Sequence, residues 1–448
     1  MARYLPSRKA GLGLVATLLS VGQLAQAQAP DAASLARELA ALRAEVAELK
    51  QSVLERRSPQ LPNLRFSGFV QADAVLRHAA SEDQLDQGTG MPLNETRFLI
   101  RRARLRAEAT YAFLGAAFEL DGNTTSGPVA RILGAEVSAR LAAGPDRPPY
   151  IMATVGLFKI PFGREVLQYD PDRLPLERSS VVRALFPGEF DLGVQLSGGW
   201  RPLRYALAAL NGEPAGEVGF PGRDPNASKD FVGRIGVDSR IVPALRLAAG
   251  VSGLYGSGLH PGAPATKDVL TWRDDNDDGV VQPSEIQALA GSAATPSQSF
   301  ARSAIGLDAS LSWEVPRLGT LELCGEVIWA VNLDRLLWPA DPVAAGRDLR
   351  EFGWYLGVSQ ELTRYARIGL RYDFYDPDAD DSEQRGGGRV PLSRAADTLA
   401  VVAAAQYARV GRLSIEYDHN RNALGRTSGG APTTLGRDTL TVRAQMVF

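Results

Sequence analysis

The chain has 448 residues, with 49 lysines and arginines against 51 aspartates and glutamates and a formal net charge of −2, a balance in which nothing suggests a nucleic-acid binder. One cysteine, Cys324, excludes an intrachain disulfide, and three histidines leave little for a histidine relay or a histidine-rich metal centre. Mean hydropathy is −0.12 and no apolar run of about 20 residues follows the N-terminus, which argues against membrane-spanning helices.

Arg3, Arg8 and Lys9 precede an apolar run from Ala10 to Val21, and Ala25-Gln26-Ala27 supplies small residues in A-x-A spacing. Residues 1–27 are therefore expected to be a secretory signal peptide. In residues 28–57, Leu35, Leu39, Leu42, Val46, Leu49 and Val53 follow a four–three spacing, the seam of a coiled coil. About three heptads are marginal alone, so a homo-oligomer, expected as a trimer, would bury them. Residues 58–63, with two prolines, read as a linker.

From Leu64 onward about sixteen segments alternate apolar and polar residues with period two. They are 64–77, a second strand ending at Tyr111, 116–121, 131–141, 151–159, 192–198, 203–210, 231–240, 244–255, 305–313, 320–329, 352–362, 365–375, 399–407, 412–418 and 438–448. Short and long connections alternate strictly, as in an up-and-down antiparallel transmembrane β-barrel spanning 64–448. Tyr111, Trp313, Tyr407 and Phe448 fall at the short-turn ends, and Tyr255, Trp329, Trp354, Tyr372 and Phe374 at the other, as two interfacial belts would. In the last strand Leu440, Val442, Ala444, Met446 and Phe448 form one apolar row, which closure against the first strand would protect.

Arginines fall on the polar face. Arg102, Arg104 and Arg106 share a parity opposite to that of Phe98 and Ile100 upstream, so a bulge is expected near Ile100-Arg101. The same parity turns Arg234, Arg367, Arg371, Arg412 and Arg443 inward, along with Glu322, Glu326, Asp373, Glu416 and Asp418. An arginine at the lipid midplane costs about 2–4 kcal/mol, so these residues must face water. One reading is an anion track along a channel wall; the other is a lumen of mixed charge that pairs with itself.

One long connection carries a different signal. Asp274-Asp275-Asn276-Asp277-Asp278-Gly279-Val280-Val281-Gln282-Pro283-Ser284-Glu285 matches the calcium-loop pattern D-x-[DN]-x-[DN]-G-x5-E. Asp274, Asn276, Asp278, the Val280 carbonyl, Gln282 and Glu285 are the expected ligands of a structural Ca2+ on an outward-facing loop. The other reading is an acidic, solvated loop.

Four stretches in order carry a family resemblance: Phe98-Leu99-Ile100-Arg101-Arg102-Ala103-Arg104-Leu105, Gly156-Leu157-Phe158-Lys159-Ile160-Pro161-Phe162-Gly163, Glu177-Arg178-Ser179-Ser180, and Asp191-Leu192-Gly193-Val194-Gln195-Leu196-Ser197-Gly198. With them the chain resembles the phosphate-selective porin O and P family. The resemblance implies a sixteen-stranded trimeric barrel in the outer membrane of a Gram-negative bacterium, with the N-terminal helix in the periplasm. It also implies that residues 160–190 fold inward, making Arg164, Arg173, Arg178 and Arg183 candidate constriction residues. Members of that family also use lumen lysines, whereas this chain has only Lys9, Lys50, Lys159, Lys229 and Lys267. The resulting expectation is a porin, not an enzyme, passing small solutes and preferring phosphate or other oxyanions. The alternative is a calcium-ordered adhesion or receptor protein that the barrel merely anchors.

Overall fold

The computed structural model describes residues 40–48, 62–77, 85–86, 95–125, 127–141, 148–216, 226–385, 388–391, 394–408, 410–421, 425–426, 432–433 and 438–448. The expected signal peptide, most of the expected heptad seam and residues 58–61 of the expected linker lie outside them, while Asn63 belongs to the first strand. The chain divides into two compact units, Met1–Leu61 and Pro62–Phe448. In the first, residues 40–48 are helical and exposed, Leu42 and Val46 included. No described helix is long and apolar enough to cross a membrane.

The second unit is a closed antiparallel barrel of sixteen strands. In chain order they are β1 (Asn63–Arg77), β2 (Arg97–Tyr111), β3 (Leu114–Asn123), β4 (Val129–Leu141), β5 (Ile151–Lys159), β6 (Gly188–Trp200), β7 (Leu203–Leu210) and β8 (Asp230–Val242). There follow β9 (Leu245–His260), β10 (Gln298–Val315), β11 (Gly319–Val331), β12 (Arg350–Thr363), β13 (Ala366–Asp376), β14 (Ala396–Tyr407), β15 (Gly411–Arg421) and β16 (Thr439–Val447). Each strand pairs with its neighbours in sequence, and β1 pairs with β16 from Phe69↔Val447 to Arg77↔Thr439. The seam is completed by Phe448, whose backbone exchanges two hydrogen bonds with Gly68 at 2.9 and 3.0 Å. Glycine is required at 68: a Cβ there would lie 2.8 Å from the Phe448 ring and 2.5 Å from the Arg104 carbonyl oxygen.

The period-two pattern produces two unlike faces. Outward side chains such as Phe66, Leu105, Val155, Leu207, Ile235, Leu307, Leu356, Ile415 and Met446 are apolar and exposed. An apolar surface of that extent is incompatible with bulk water and suits lipid. Trp329, Phe352, Trp354, Tyr372 and Phe374 sit together outside the long-loop end, with ring centroids 5.4–6.4 Å apart in the contacting pairs. Inward side chains are largely polar and charged, and many are buried.

Register departs from the simple pattern at identifiable places. Gln71 faces Arg102 while Ala72 faces Ile100, so Arg101 is an extra residue in β2. This is the bulge that the parity change calls for. A second shift lies between Glu119 and Leu120, where β4 carries Leu133 unopposed. The β9–β10 hairpin runs beyond the expected 255 and 305 to His260 and Gln298, and carries a two-stranded ribbon, Val269–Trp272 with Ile286–Leu289.

Candidate functional site

The inner face is organised by the connection between β5 and β6, residues 160–187. Its course begins at Gly163, whose left-handed backbone (φ 61°) suits glycine. The space a Cβ would need is taken by the Glu326 carboxylate, which accepts from the backbone N–H of Arg164 (3.3 Å) and Glu165 (3.2 Å). The N–H of Gly163 donates to Ser252 Oγ on β9 at 3.0 Å. Phe162, Val166, Val181, Val182 and Leu185 then bury themselves on inward apolar residues of β7–β11, chiefly Leu210, Val232, Leu254 and Ile328. The short helix α1 (Ser180–Leu185) is fixed by Asp373, whose Oδ1 accepts from the N–H and Oγ of Ser180 at 3.2 and 2.6 Å.

The same segment reaches the other side of the ring. The Tyr169 ring meets Phe69 of β1 edge-on, with centroids 5.5 Å apart. The Leu176 N–H donates to Glu416 on β15 (2.9 Å), and its carbonyl accepts from Arg443 on β16 (2.6 Å). Leu174 packs on Val402 and Ala404 of β14. Strands β1 and β9 are half a ring apart in the strand order, so the loop crosses the lumen from wall to wall rather than hugging one side.

Its two electrostatic anchors are Glu177 and Asp170. Glu177 accepts two bonds from Arg101 (2.9 and 2.9 Å), two from Arg102 (3.2 and 3.0 Å) and one from Arg443 (2.7 Å). Asp170 accepts from Arg104 at 2.6 Å and pairs with Arg173 inside the loop. Burial by itself would raise both carboxyls. Arg101, Arg102 and Arg443 around Glu177, and Arg104, Arg102 and Arg173 around Asp170, outweigh it and hold both well below the usual carboxylate range.

All eight expected pore arginines lie on the inner face, and seven meet a carboxylate. Besides Arg102 and Arg104, Arg106 bonds Glu108, Glu119 and Glu136 at 2.9–3.1 Å. Arg234 forks onto Asp308, Arg367 approaches Glu361 (3.9 Å), Arg371 meets Asp373 and Glu165 (3.3 and 3.4 Å), and Arg443 forks onto Asp73 at 2.7 Å. Arg412 donates to Gln445 instead. The lumen is thus matched in charge over most of its arginines, which leaves few donors for a passing oxyanion.

The loop arginines divide similarly. Arg164 pairs with Glu322 at 2.5 Å, Arg173 with Asp170, and Arg178 with Glu189 and the Phe186 carbonyl. Only Arg183 is exposed. It lines a cavity of about 350 Å³ above the crossing loop at the long-loop end, together with Arg101, Asp373, Asp418 and Arg443. Glu177, Asp170, Glu165 and Ser252 were not singled out from sequence. Glu177 lies in one of the four stretches that carry the family resemblance, but nothing local marks it as the partner of three arginines.

The expected calcium ligands sit at the tip of the β9–β10 hairpin. Asp274 accepts from the N–H of Asp278 (3.2 Å) and Gly279 (2.8 Å), Asn276 from the N–H of Asp278 (3.0 Å), and Asp278 from the N–H of Val280 (2.7 Å). Gln282 Nε2 donates to Asp278 at 2.7 Å. Asp277 and Gly279 are left-handed (φ 57° and 69°), as a sharp turn requires. Glu285 is buried and its Oε2 accepts from the Trp272 indole N–H at 3.0 Å. Among the described residues no three acidic, cysteine or histidine side chains converge as a metal cluster. The hard-oxygen donor set nonetheless fits Ca2+, with Asp274, Asn276 and Asp278 gathered on one turn and Glu285 held apart by Trp272.

No protein-family model matches the sequence, and no curated protein does. Solved structures do share the fold. OprB of Pseudomonas putida superposes with a TM-score of 0.54 at 10% identity, covering 86% of this chain and 94% of that one. The outer-membrane channel DcaP of Acinetobacter baumannii gives 0.50 at 11% identity, over 87% and 99%. An anion-selective porin from Comamonas acidovorans gives 0.50 at 12% identity, over 86% and 100%. These structural neighbours are outer-membrane porins, and at such identities the likeness concerns the fold.

Proposed function

We propose that this chain is an outer-membrane porin of a Gram-negative bacterium through which small polar solutes diffuse passively, with its short turns in the periplasm. The observation that carries this reading is a closed barrel, apolar outside and charged inside, whose lumen is crossed by an inward-folded loop. Nothing in the transport step calls for a catalytic residue. The anion preference implied by the arginines is modest in this proposal. Seven arginines line the upper cavity, but six carboxylates line it too, a small positive excess. Phosphate and other oxyanions would pass with the rest rather than be singled out. A homotrimer is part of the proposal, supported by the heptad seam and by the exposure of Leu42 and Val46. So is calcium at residues 274–285, with the local role of shaping the long hairpin.

Planar-bilayer recording of the purified full chain tests the channel. Stepwise openings with a reversal potential slightly on the anion side under a salt gradient are expected. Absence of conductance would return the barrel to the role of an anchor for a surface adhesion or receptor protein.

A further inference from the structure

Three of the short turns carry an arginine. Arg201 lies between β6 and β7, Arg317 between β10 and β11, and Arg364 between β12 and β13, and all three are exposed. Among the described residues none of the three bonds or pairs with a carboxylate, and no described residue of the short connections is acidic. The long-loop end differs: the exposed Arg350 and Arg421 there pair with Asp380 and Asp397 at 3.1 and 2.9 Å. Arg201 and Arg317 also stand on left-handed backbone (φ 56° and 72°), which glycine or asparagine adopts at less cost. The guanidinium is present there against the preference of its own backbone.

These arginines stand at the edge of the apolar belt. The Arg201 guanidinium lies 5.0 Å from the centroid of the Trp200 ring, and that of Arg364 lies 4.6 Å from the Tyr365 ring. Trp200, Trp313 and Tyr365 are exposed, and exposed rings at strand ends mark the level where hydrocarbon gives way to headgroups. A guanidinium just beyond them is at the depth of lipid phosphates, onto which it can fork. The three turns are spread along the arc from β6 to β13, too widely for one small ion but well for several lipids of an annulus. We propose that this rim is a docking surface for anionic phospholipid of the periplasmic leaflet, held by its phosphate on Arg201, Arg317 and Arg364. The inference rests on the outer-membrane reading and names a partner for it.

Native mass spectrometry of the full-length protein, released from a bilayer of equal parts phosphatidylglycerol and phosphatidylcholine, tests this. About fivefold more phosphatidylglycerol than phosphatidylcholine is expected to stay bound, the effect of one basic residue beside an anionic lipid surface. In a variant combining Arg201→Asn, Arg317→Asn and Arg364→Gln the ratio should fall toward one. Asparagine suits the two left-handed positions, so the barrel should still form; if it does not, Arg364→Gln alone is read, with a partial fall expected. A ratio near one in the unmodified protein, or an undiminished excess in the variant, would overturn the proposal. An excess abolished by millimolar inorganic phosphate would overturn it in favour of sites for a free anion. Bilayer conductance of the same protein separates the two readings. Stepwise openings without lipid preference would overturn only the docking surface, and lipid preference without openings would overturn only the channel.

Discussion

Arg101 and Arg102 are consecutive in the chain, yet both of their guanidinium groups close on the Glu177 carboxylate. In a regular strand, neighbours point to opposite faces. The bulge at Arg101 turns both inward and sets two parallel forks on one acid of the crossing loop. A device that departs from the strand pattern is thus what pins the loop to the β2 wall.

Glu177→Ala should release that pin. Three guanidinium groups would lose a shared partner, and the loop's attachment should weaken by about 1–3 kcal/mol, the cost of orphaned donors in a partly solvated site. The barrel should still show its folded, heat-modifiable mobility, while single-channel conductance rises and becomes noisier. Conductance as uniform as that of the unmodified protein would show that the apolar contacts of Phe162 and Val181 hold the loop unaided.

Acid should act late. Glu177 and Asp170 are held below their ordinary values, 4.5 and 3.8, so the stability they give is complete above those values. It is lost only as pH falls through the lower folded values. The difference in conductance and trypsin resistance between the unmodified protein and Glu177→Ala should therefore stay constant from about pH 8 to pH 5 and vanish only below about pH 4. A difference that vanishes between pH 5 and 7 would mean that Glu177 does not hold the loop as a carboxylate.

Calcium should move Glu285. Its carboxylate accepts from the Trp272 indole; as the twelfth loop residue it should clamp a bound ion instead. Tryptophan fluorescence should change on titration, with a dissociation constant on the order of 10⁻⁴–10⁻³ M. Glu285→Gln should weaken binding far more than Asp275→Asn. Equal effects of the two substitutions, or no heat of binding in calorimetry, would reduce the loop to an acidic turn.

Removal of residues 31–57 should lower the temperature at which the unboiled oligomer dissociates without preventing barrel formation, since the apolar seam gives the helix its reason to associate. An oligomer equally stable without the segment would place the subunit contacts wholly in the barrel.

Much of the fold could be read in the sequence because lipid on one side and polar lumen on the other impose a period of two. The 151–159 and 203–210 strands agree residue for residue with β5 and β7. The ends of β9 and β10 were underestimated because beyond Tyr255 the apolar alternation stops: those residues leave the lipid, and hydrogen bonding alone continues the pairing to His260↔Gln298. The site was less legible. Arginines could be placed on the inner face by parity, and Glu108 and Asp373 pair two residues away on the same strand, but most carboxylate partners come from other strands and from the loop, at separations such as that of Asp73 from Arg443, which no local pattern encodes. One cue was available in the inward apolar residues Leu210, Val232, Leu254 and Ile328. A strand apolar on both faces must be covered on both, and here the crossing loop is the cover.

A ring is easily flattened, and sixteen strands joined edge to edge make one. The segment that touches β9 through Gly163 and β1 through Tyr169 joins two opposite points of that ring. It acts as a strut along that diameter, and because the same segment leaves β5 and bonds Asp373 of β13 through Ser180, the diameter at right angles is braced as well. Lateral pressure from either direction should therefore meet packed chain. In the proposed channel solutes would travel beside the strut rather than down the centre, so the largest molecule admitted would be set by the gap on one side of it, not by the number of strands.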